Sequence, residues 1–389
     1  MNDQCNSVSA ALATPELLAY IVGFLRDYKE DLKSCAEVSH AFSFPAQSHL
    51  FHTISLFRSP ETSRVPEFLH EAKDDLGAAT RLSDIMALAP NLRSLVRRVG
   101  AALDLHILTQ LTNIGFTRLT HLTLASMSPS AIDLPVLSAA GDLLALPSLT
   151  TLVFDGGFCG MAALDHLFAR CTPNLSTLDL RYVDVSPGPD LAPGQPRCSE
   201  KRARVTDLRI LQPSPDFAKW LCDPRCPLDL SRLRHVDVFM AASPPLITVL
   251  TSARLTIVSL RLHSSDAVAG LNLACFPALS QLRIVGSPAE LESALTRLEP
   301  DNNLAQITIA SRIFDADPAA LARIDAALAG LCMSALARVE LSVLRPGASI
   351  DSIDETRAML ATVFSQLGRK GVLVVRDFRE WSPISIPSS

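Results

Sequence analysis

This sequence predicts an α/β fold built as a solenoid of repeated strand-plus-helix units, and three observations carry that expectation. A Leu-x-x-Leu-x-Leu cadence, or a close apolar variant, returns nine times between Leu119 and Leu341. Successive copies start 30, 26, 30, 28, 22, 24, 25 and 32 residues apart, irregular but always about one supersecondary unit. Between the copies the apolar residues change from a period of two to a period near 3.6, the signature of helix. Neither a lone strand nor a lone helix of this kind can bury its apolar face, whereas stacked units can.

The copies are Leu119, Leu122, Leu124; Leu149, Leu152, Phe154; Leu175, Leu178, Leu180; Val205, Leu208, Ile210; and Leu233, Val236, Val238. They continue as Leu255, Val258, Leu260; Leu279, Leu282, Ile284; Leu304, Ile307, Ile309; and Leu336, Val339, Leu341. Side chains alternate across a strand, so the second and third apolar positions of each copy share one face. Asn91 to Val99 reads as a degenerate first copy, and Val372 to Val375 as the last strand. Helical spacing appears at Met161 to Cys171, Pro288 to Leu298, Pro318 to Leu331 and Ile353 to Leu367. Cadence and period together are those of leucine-rich repeats. Strands separated by helices also suit a doubly wound sheet, but that fold calls for a glycine-rich strand-to-helix turn, and the sequence offers none.

With 48% apolar residues the chain has ample material for a packed core. A net charge of −5 and a pI near 6.0 argue against nucleic acid or an anionic membrane as main partner and leave a protein as the natural one. The first 14 residues carry no basic start ahead of an apolar run, and no uncharged apolar stretch reaches bilayer length, so the expectation is an intracellular protein, cytoplasmic and/or nuclear. Nine scattered cysteines fit a reducing compartment. The closest pair, Cys222 and Cys226, lacks a second pair to complete a zinc site, and no metal or cofactor is expected.

Ahead of the repeats, residues 13–56 read as three short helices. Thr14 caps a first helix beginning at Pro15, with Leu17, Leu18, Ile21, Val22 and Leu25 in one stripe. Asp31 caps a second, carrying Leu32, Cys35, Ala36 and Val38, and Pro45 starts a third with Leu50 and Phe51. The run Thr14-Pro-Glu-Leu-Leu-Ala-Tyr-Ile-Val-Gly-Phe-Leu25 resembles the opening of an F-box, and Asp31-Leu-Lys-Ser-Cys-Ala-Glu-Val-Ser-His-Ala-Phe42 its second half. Ser48-His-Leu-Phe-His-Thr-Ile-Ser-Leu56 is similar to the exit of F-box proteins that continue into leucine-rich repeats. The likeness covers about 40 residues. It departs from the family at Thr14, where a leucine is usual, and at His40-Ala-Phe42, where a basic residue and tryptophan are usual.

The resemblance implies a non-catalytic subunit of a Skp-cullin-F-box (SCF) ubiquitin ligase: the F-box docks on a Skp-type adaptor, which joins it to a cullin, and the repeats bind a target protein for ubiquitination. Carried over by position, the adaptor-binding residues are Pro15, Leu17, Leu18, Ile21, Leu25, Leu32, Cys35 and Val38. Each can equally be core of its own module. The alternatives are a leucine-rich-repeat interaction scaffold with no ligase role and, less favoured, an α/β enzyme.

Further expectations concern organisation. Residues 1–12 read as a disordered N-terminus, 57–90 as a helical connector including Glu67 to Ala72 and Ala78 to Leu88, 91–378 as the solenoid, and 379–389 as a tail. Four prolines and two glycines mark residues 186–204 as a loop insertion, and its end, Lys201-Arg-Ala-Arg204, resembles a minimal nuclear localisation patch but reads by default as solvated loop.

In a solenoid of this class the strands line a concave face that presents the residues interleaved between the apolar ones. These are His121 and Thr123; Thr177, Asp179 and Arg181; Asp207 and Arg209; His235, Asp237 and Phe239; Ser259 and Arg261; Gln281 and Arg283; Arg338 and Glu340. An arginine recurs two residues past an aspartate or serine, which suggests a recognition strip; any exposed strand face, however, carries charge. The target-binding candidates are Arg181, Arg209, Asp237, Arg261, Arg283 and Arg338. No Gly-x-Ser-x-Gly elbow, phosphate-binding glycine loop or His-Glu-x-x-His occurs, so no catalytic residues are assigned.

Overall fold

A computed structural model describes residues 92–98, 105–113, 116–127, 134–186, 203–212, 214–224, 226–239, 244–263, 271–298, 303–311, 318–330, 336–344 and 352–378. Before residue 58 it describes 18, 20, 22, 24–25, 28–38, 42–43, 46 and 53–57. The chain forms two compact units, residues 1–175 and 176–389. Both are α/β, each with a parallel sheet whose strands follow one another in chain order and are joined through helices.

In the first unit the strands are β1 (Thr53–Phe57), β2 (Ser94–Arg98), β3 (His121–Met127) and β4 (Thr151–Gly160). The register sets Leu95 beside Leu122 and Leu122 beside Leu152, so the cadence stacks like on like. The degenerate copy at Asn91 to Val99 is therefore a genuine strand, with Leu92 and Leu95 buried. The sheet also begins earlier than the cadence suggests. β1 pairs with β2 in parallel, so residues 53–57, assigned from sequence to the end of the helical module and the start of a connector, belong to the sheet. Thr53-Ile-Ser-Leu-Phe57 has the alternation of a strand but lacks the leading leucine that flags the other copies. Helices α2 (Leu105–Asn113), α3 (Leu134–Leu144) and α4 (Met161–Phe168) lie between the later strands.

Nearer the N-terminus, Leu18, Tyr20 and Val22 are helical, and α1 spans Lys29–Val38. α1 starts two residues before Asp31, so Asp31 sits with Glu30 in the first turn, where carboxylates favour the helix dipole, and not at the cap. The expected disordered N-terminus, the expected helices of 57–90 and the tail after residue 378 lie outside the described residues, as does the third helix except at Ala46.

In the second unit one sheet holds β5 (Thr177–Ser186), β7 (Asp207–Leu211), β9 (His235–Phe239), β10 (Ser259–Leu262), β11 (Gln281–Val285), β12 (Gln306–Ser311), β13 (Arg338–Leu344) and β14 (Leu373–Phe378), in that order. A separate two-stranded pair joins β6 (Ala203–Arg204) to β8 (Leu228–Asp229). Regular structure thus enters both ends of the expected 186–204 loop. Val183 and Val185 are buried and carry β5 on to Ser186, and buried Ala203 anchors the return. Residues 187–202 lie outside the described residues.

The sixth copy is shifted. Leu255 is 67% exposed on the turn after α6 (Pro244–Ser252), whereas Ile257 is fully buried. Pairing sets Leu260 beside both Val236 and Leu282, so the copy is Ile257, Leu260, Leu262. Two apolar triples compete here, and packing selects the one in register with its neighbours. Because the shift is two residues, the assignment of faces is unchanged.

Most of the repeat strands are entered through the same hydrogen-bond device. The carbonyl just before one strand accepts two backbone N–H groups of the next copy: Ser176 O from Thr206 and Asp207, Thr206 O from Arg234 and His235, Arg234 O from Val258 and Ser259. Where the donor residue carries a hydroxyl, that group adds a bond to the same carbonyl, as from Thr120, Thr150, Thr206 and Ser280 at 3.2–3.3 Å. Helix starts are equally local. Ser214 accepts from the Phe217 N–H at 3.2 Å ahead of Pro215 in α5 (Pro215–Cys222), and Ser287 with Glu290 forms a capping box on α7 (Pro288–Leu295). α8 spans Pro318–Gly330, and the last helical segment divides at Phe364 into α9 (Ser352–Val363) and α10 (Ser365–Arg369).

Candidate binding face on the second sheet

Alternation along each strand puts the repeat leucines and valines on one face, where helices such as α5 against β5 and α9 against β14 cover them. The interleaved polar residues occupy the opposite face, and strand register lines them up. The central row reads Asp179, Arg209, Asp237, Arg261, Arg283, Thr308, Glu340 on β5, β7, β9, β10, β11, β12 and β13. All six residues assigned to target binding from sequence lie on this sheet, and none is wholly buried. Thr308 is the member that the cadence reading omitted, although its place between Ile307 and Ile309 marks it by alternation alone.

One side of the row neutralises itself. Asp179 is 2% exposed and holds Arg181 through Nε at 3.1 Å to both carboxylate oxygens and Nη2 at 2.6 Å. Arg209 lies between two carboxylates, 3.8 Å from Asp179 and 3.9 Å from Asp237. Its guanidinium also stands 5.0 Å above the Phe239 ring. Phe239 stacks on His263 with centroids 3.7 Å apart and planes 7° from parallel. His263 Nε2 is in turn 2.9 Å from Asp237 Oδ1, close enough for ion pairing but not aligned for a hydrogen bond. His263 follows the last residue of β10, beyond the reach of the strand pattern, which is why the sequence does not announce it.

Elsewhere Arg338 Nη2 reaches Glu340 at 2.9 Å. In the middle, Arg261 and Arg283 are direct register partners, and Arg261 is also the register partner of Asp237. Burial, and then the Arg261 charge, lower the Arg283 pKa from its ordinary value, while Asp237 and Glu340 act in the opposite sense. Both arginines are half-buried. Within β5 and just past β7, Tyr182 and Gln212 have a φ of 52°, a left-handed conformation that non-glycine residues rarely hold. Each follows one member of the register pair Arg181 and Leu211.

In the first unit, His121 and Thr123 lie half-buried on β3. His121 Nδ1 is 2.8 Å from the Thr120 hydroxyl, and burial lowers its pKa from the usual 6.5.

The residues expected to meet an adaptor separate into distinct environments. Leu18 and Leu32 are buried; Leu32, Val22 and Ala46 form a small core against which Leu25 and Cys35 pack. Leu32, Leu25 and Cys35 thus belong to the module's own core, because their spacing suits an internal stripe as well as an external one. Val38 is 74% exposed. Pro15, Leu17 and Ile21 lie outside the described residues. Among the described residues here, the exposed large apolar side chains are Tyr20, Phe24, Tyr28 and Val38, and Tyr20 and Phe24 meet edge to face at 4.9 Å.

Among the described residues no group of three His, Cys, Asp or Glu side chains is placed to hold a metal ion, and no helix is long and apolar enough to cross a membrane. No protein-family model matches the sequence, and comparison with curated proteins finds no relative.

Proposed function

We propose that the protein is a substrate-recognition adaptor of a Skp-cullin-F-box type ubiquitin ligase, in which the N-terminal helices engage a Skp-type adaptor and leucine-rich-repeat strands hold a protein target. The observation that carries this reading is the pairing of two parts. A segment resembling an F-box precedes a parallel sheet that covers one face with helices and leaves the other as an ordered row of polar side chains. A row with fixed side-chain spacing on successive strands suits an extended partner surface better than a small molecule. The three aromatic rings left exposed near the N-terminus support a second docking surface, since so much unburied aromatic area is characteristic of protein contacts.

A second reading, a leucine-rich-repeat scaffold with no ligase role, draws on the inward placement of Leu32, with Leu25 and Cys35 packed against it. Side chains that close a module's own core are not available to a partner. The first reading therefore rests its adaptor contact on Phe24 and Val38.

Affinity purification with mass spectrometry decides between them, comparing the full chain with a deletion of residues 1–50. The deletion stops before Thr53 because β1 is paired into the sheet. A Skp-type adaptor and a cullin are expected with the full chain only, and target proteins with both. Phe24→Asp in the full chain should release the adaptor and keep the targets. A full-length protein that is folded, retains targets and never captures a Skp-type adaptor overturns the ligase reading and leaves the scaffold.

A further inference from the structure

The last strand of the second sheet is less well covered than those before it. On each main-sheet strand from β5 to β13 the second and third apolar positions of the cadence are buried, Val339 and Leu341 on β13 among them. Their register partners on β14, Leu373 and Val375, are only half-buried. Among the described residues β14 also ends its sheet, with β13 on one side. The backbone shows which of its groups face away. The Val372 carbonyl accepts the Val339 N–H at 2.8 Å, so Val372 and every second residue after it turn amide and carbonyl toward β13. Leu373, Val375 and Asp377 turn theirs to the outer side, a row of donors and acceptors matched to one further strand. A solenoid needs a cap at such an end.

The sequence beyond β14 carries the cadence once more, as Trp381, Ile384 and Ile386. Five residues separate Phe378 from Ile384, too few for the crossover of a dozen or more that a parallel strand requires but enough for a hairpin. We propose that residues 381–387 fold back as an antiparallel strand along the outer edge of β14 and extend its apolar face with Ile384 and Ile386. A turn at Arg379 and Glu380 sets Ile384 opposite Val375 and Ile386 opposite Leu373, apolar beside apolar on the helix-covered face. The same turn sets Pro383 opposite Arg376 and Pro387 opposite Val372, residues whose own amides face β13. Both prolines therefore fall where no N–H is asked for by β14. A turn one residue longer would place them where β14 needs a donor and would send both isoleucines to the polar face, so four residues agree on one parity. With prolines on its far side, the added strand offers little to another, which keeps an edge from pairing with further copies. This cap goes beyond the proposed ligase role and does not depend on it.

Hydrogen–deuterium exchange resolved to single amides tests the cap, comparing the full chain with one lacking residues 381–389. The Leu373 and Val375 N–H groups should exchange slowly in the full chain and at least about tenfold faster without the segment. The Val374 N–H, which faces β13, should change much less. Should the truncated chain fail to fold, two full-length variants decide. Ile384→Asp with Ile386→Asp puts charge on the apolar face and should free the same two amides, whereas Ser385→Asp, on the polar face, should leave them slow. Leu373 and Val375 amides that exchange freely in the full chain overturn the proposal, as do amides that stay equally slow in both the truncated chain and the isoleucine variant. Release by Ser385→Asp as large as that by the isoleucine pair does the same, since it contradicts the parity. Protection that appears only at concentrations where light scattering finds a dimer assigns the edge to a second copy and likewise overturns it.

Discussion

Asp325 shows how one residue can hold two elements together. Its carboxylate, on α8 and 2% exposed, accepts the Gln366 and Leu367 N–H groups at 3.0 Å each, the open amides at the start of α10. Asp325→Ala would leave the buried Leu367 donor unmet and the more exposed Gln366 donor to water, and hydrogen bonds to a charged acceptor contribute about 1.5–3 kcal/mol apiece. We expect Asp325→Ala to lower unfolding stability in urea by about 3 kcal/mol and Asp325→Asn, which keeps one acceptor oxygen, by roughly half as much. His121 acts in the other direction. Burial lowers its pKa below 6.5 in the folded state, so the unfolded chain binds the proton more readily. Stability should therefore fall as pH drops through about 6.5 and go on falling until the folded-state pKa is passed. Thermal midpoints of wild type and His121→Gln measured from pH 7.5 to 5, all approximate settings, should show a shallower slope for the variant; equal slopes would remove His121 from the acid sensitivity.

At the scale of the element, the strand is specified twice. The cadence fixes which residues face the helices, and the residue after each leading leucine fixes how one strand joins the next. Thr120, Thr150, Thr206 and Ser280 each bond the preceding copy's carbonyl through the hydroxyl. Thr206 also donates to its own neighbour, Asp207, at 2.6 Å. Thr206→Val keeps the branched shape and both backbone bonds but loses the hydroxyl, and should cost about 1 kcal/mol in chemical denaturation. A loss as large as that of a core leucine truncation would mean that the side chain has a different role. This hydroxyl was in plain view in the sequence, one place after the leucine in five of nine copies once the sixth is reframed. The helices were legible where a proline marks the start, as at Pro288 and Pro318. β1 was not, because its partner strand lies across more than 30 residues of sequence and no leading leucine points to it.

For the whole molecule, the central question is which charges remain available once the sheet is assembled. Arg209 was a target-binding candidate on the same footing as Arg261, yet it sits between Asp179 and Asp237 over an aromatic ring. Reversing it would place three carboxylates on adjacent strands. Arg209→Glu should therefore destabilise the protein by about 3–5 kcal/mol, as breaking a largely buried pair does, and Arg209→Met by less, because it introduces no new charge. If Arg209→Glu unfolds with wild-type stability, the network around Asp179 contributes nothing.

The sequence by itself determined the period, the α/β alternation, the face to which each strand residue belongs and most helix starts, because these follow from local periodicity and capping within a few residues. It also placed every target-binding candidate on one sheet. Tertiary structure alone decided the frame of the sixth copy, the strand at Thr53–Phe57, and the inward placement of Leu32. It alone also set Arg209 between Asp179 and Asp237. Each of these depends on what lies across the gap between strands or helices, and such distances, unlike the alternation along one strand, are set only when the whole chain has packed.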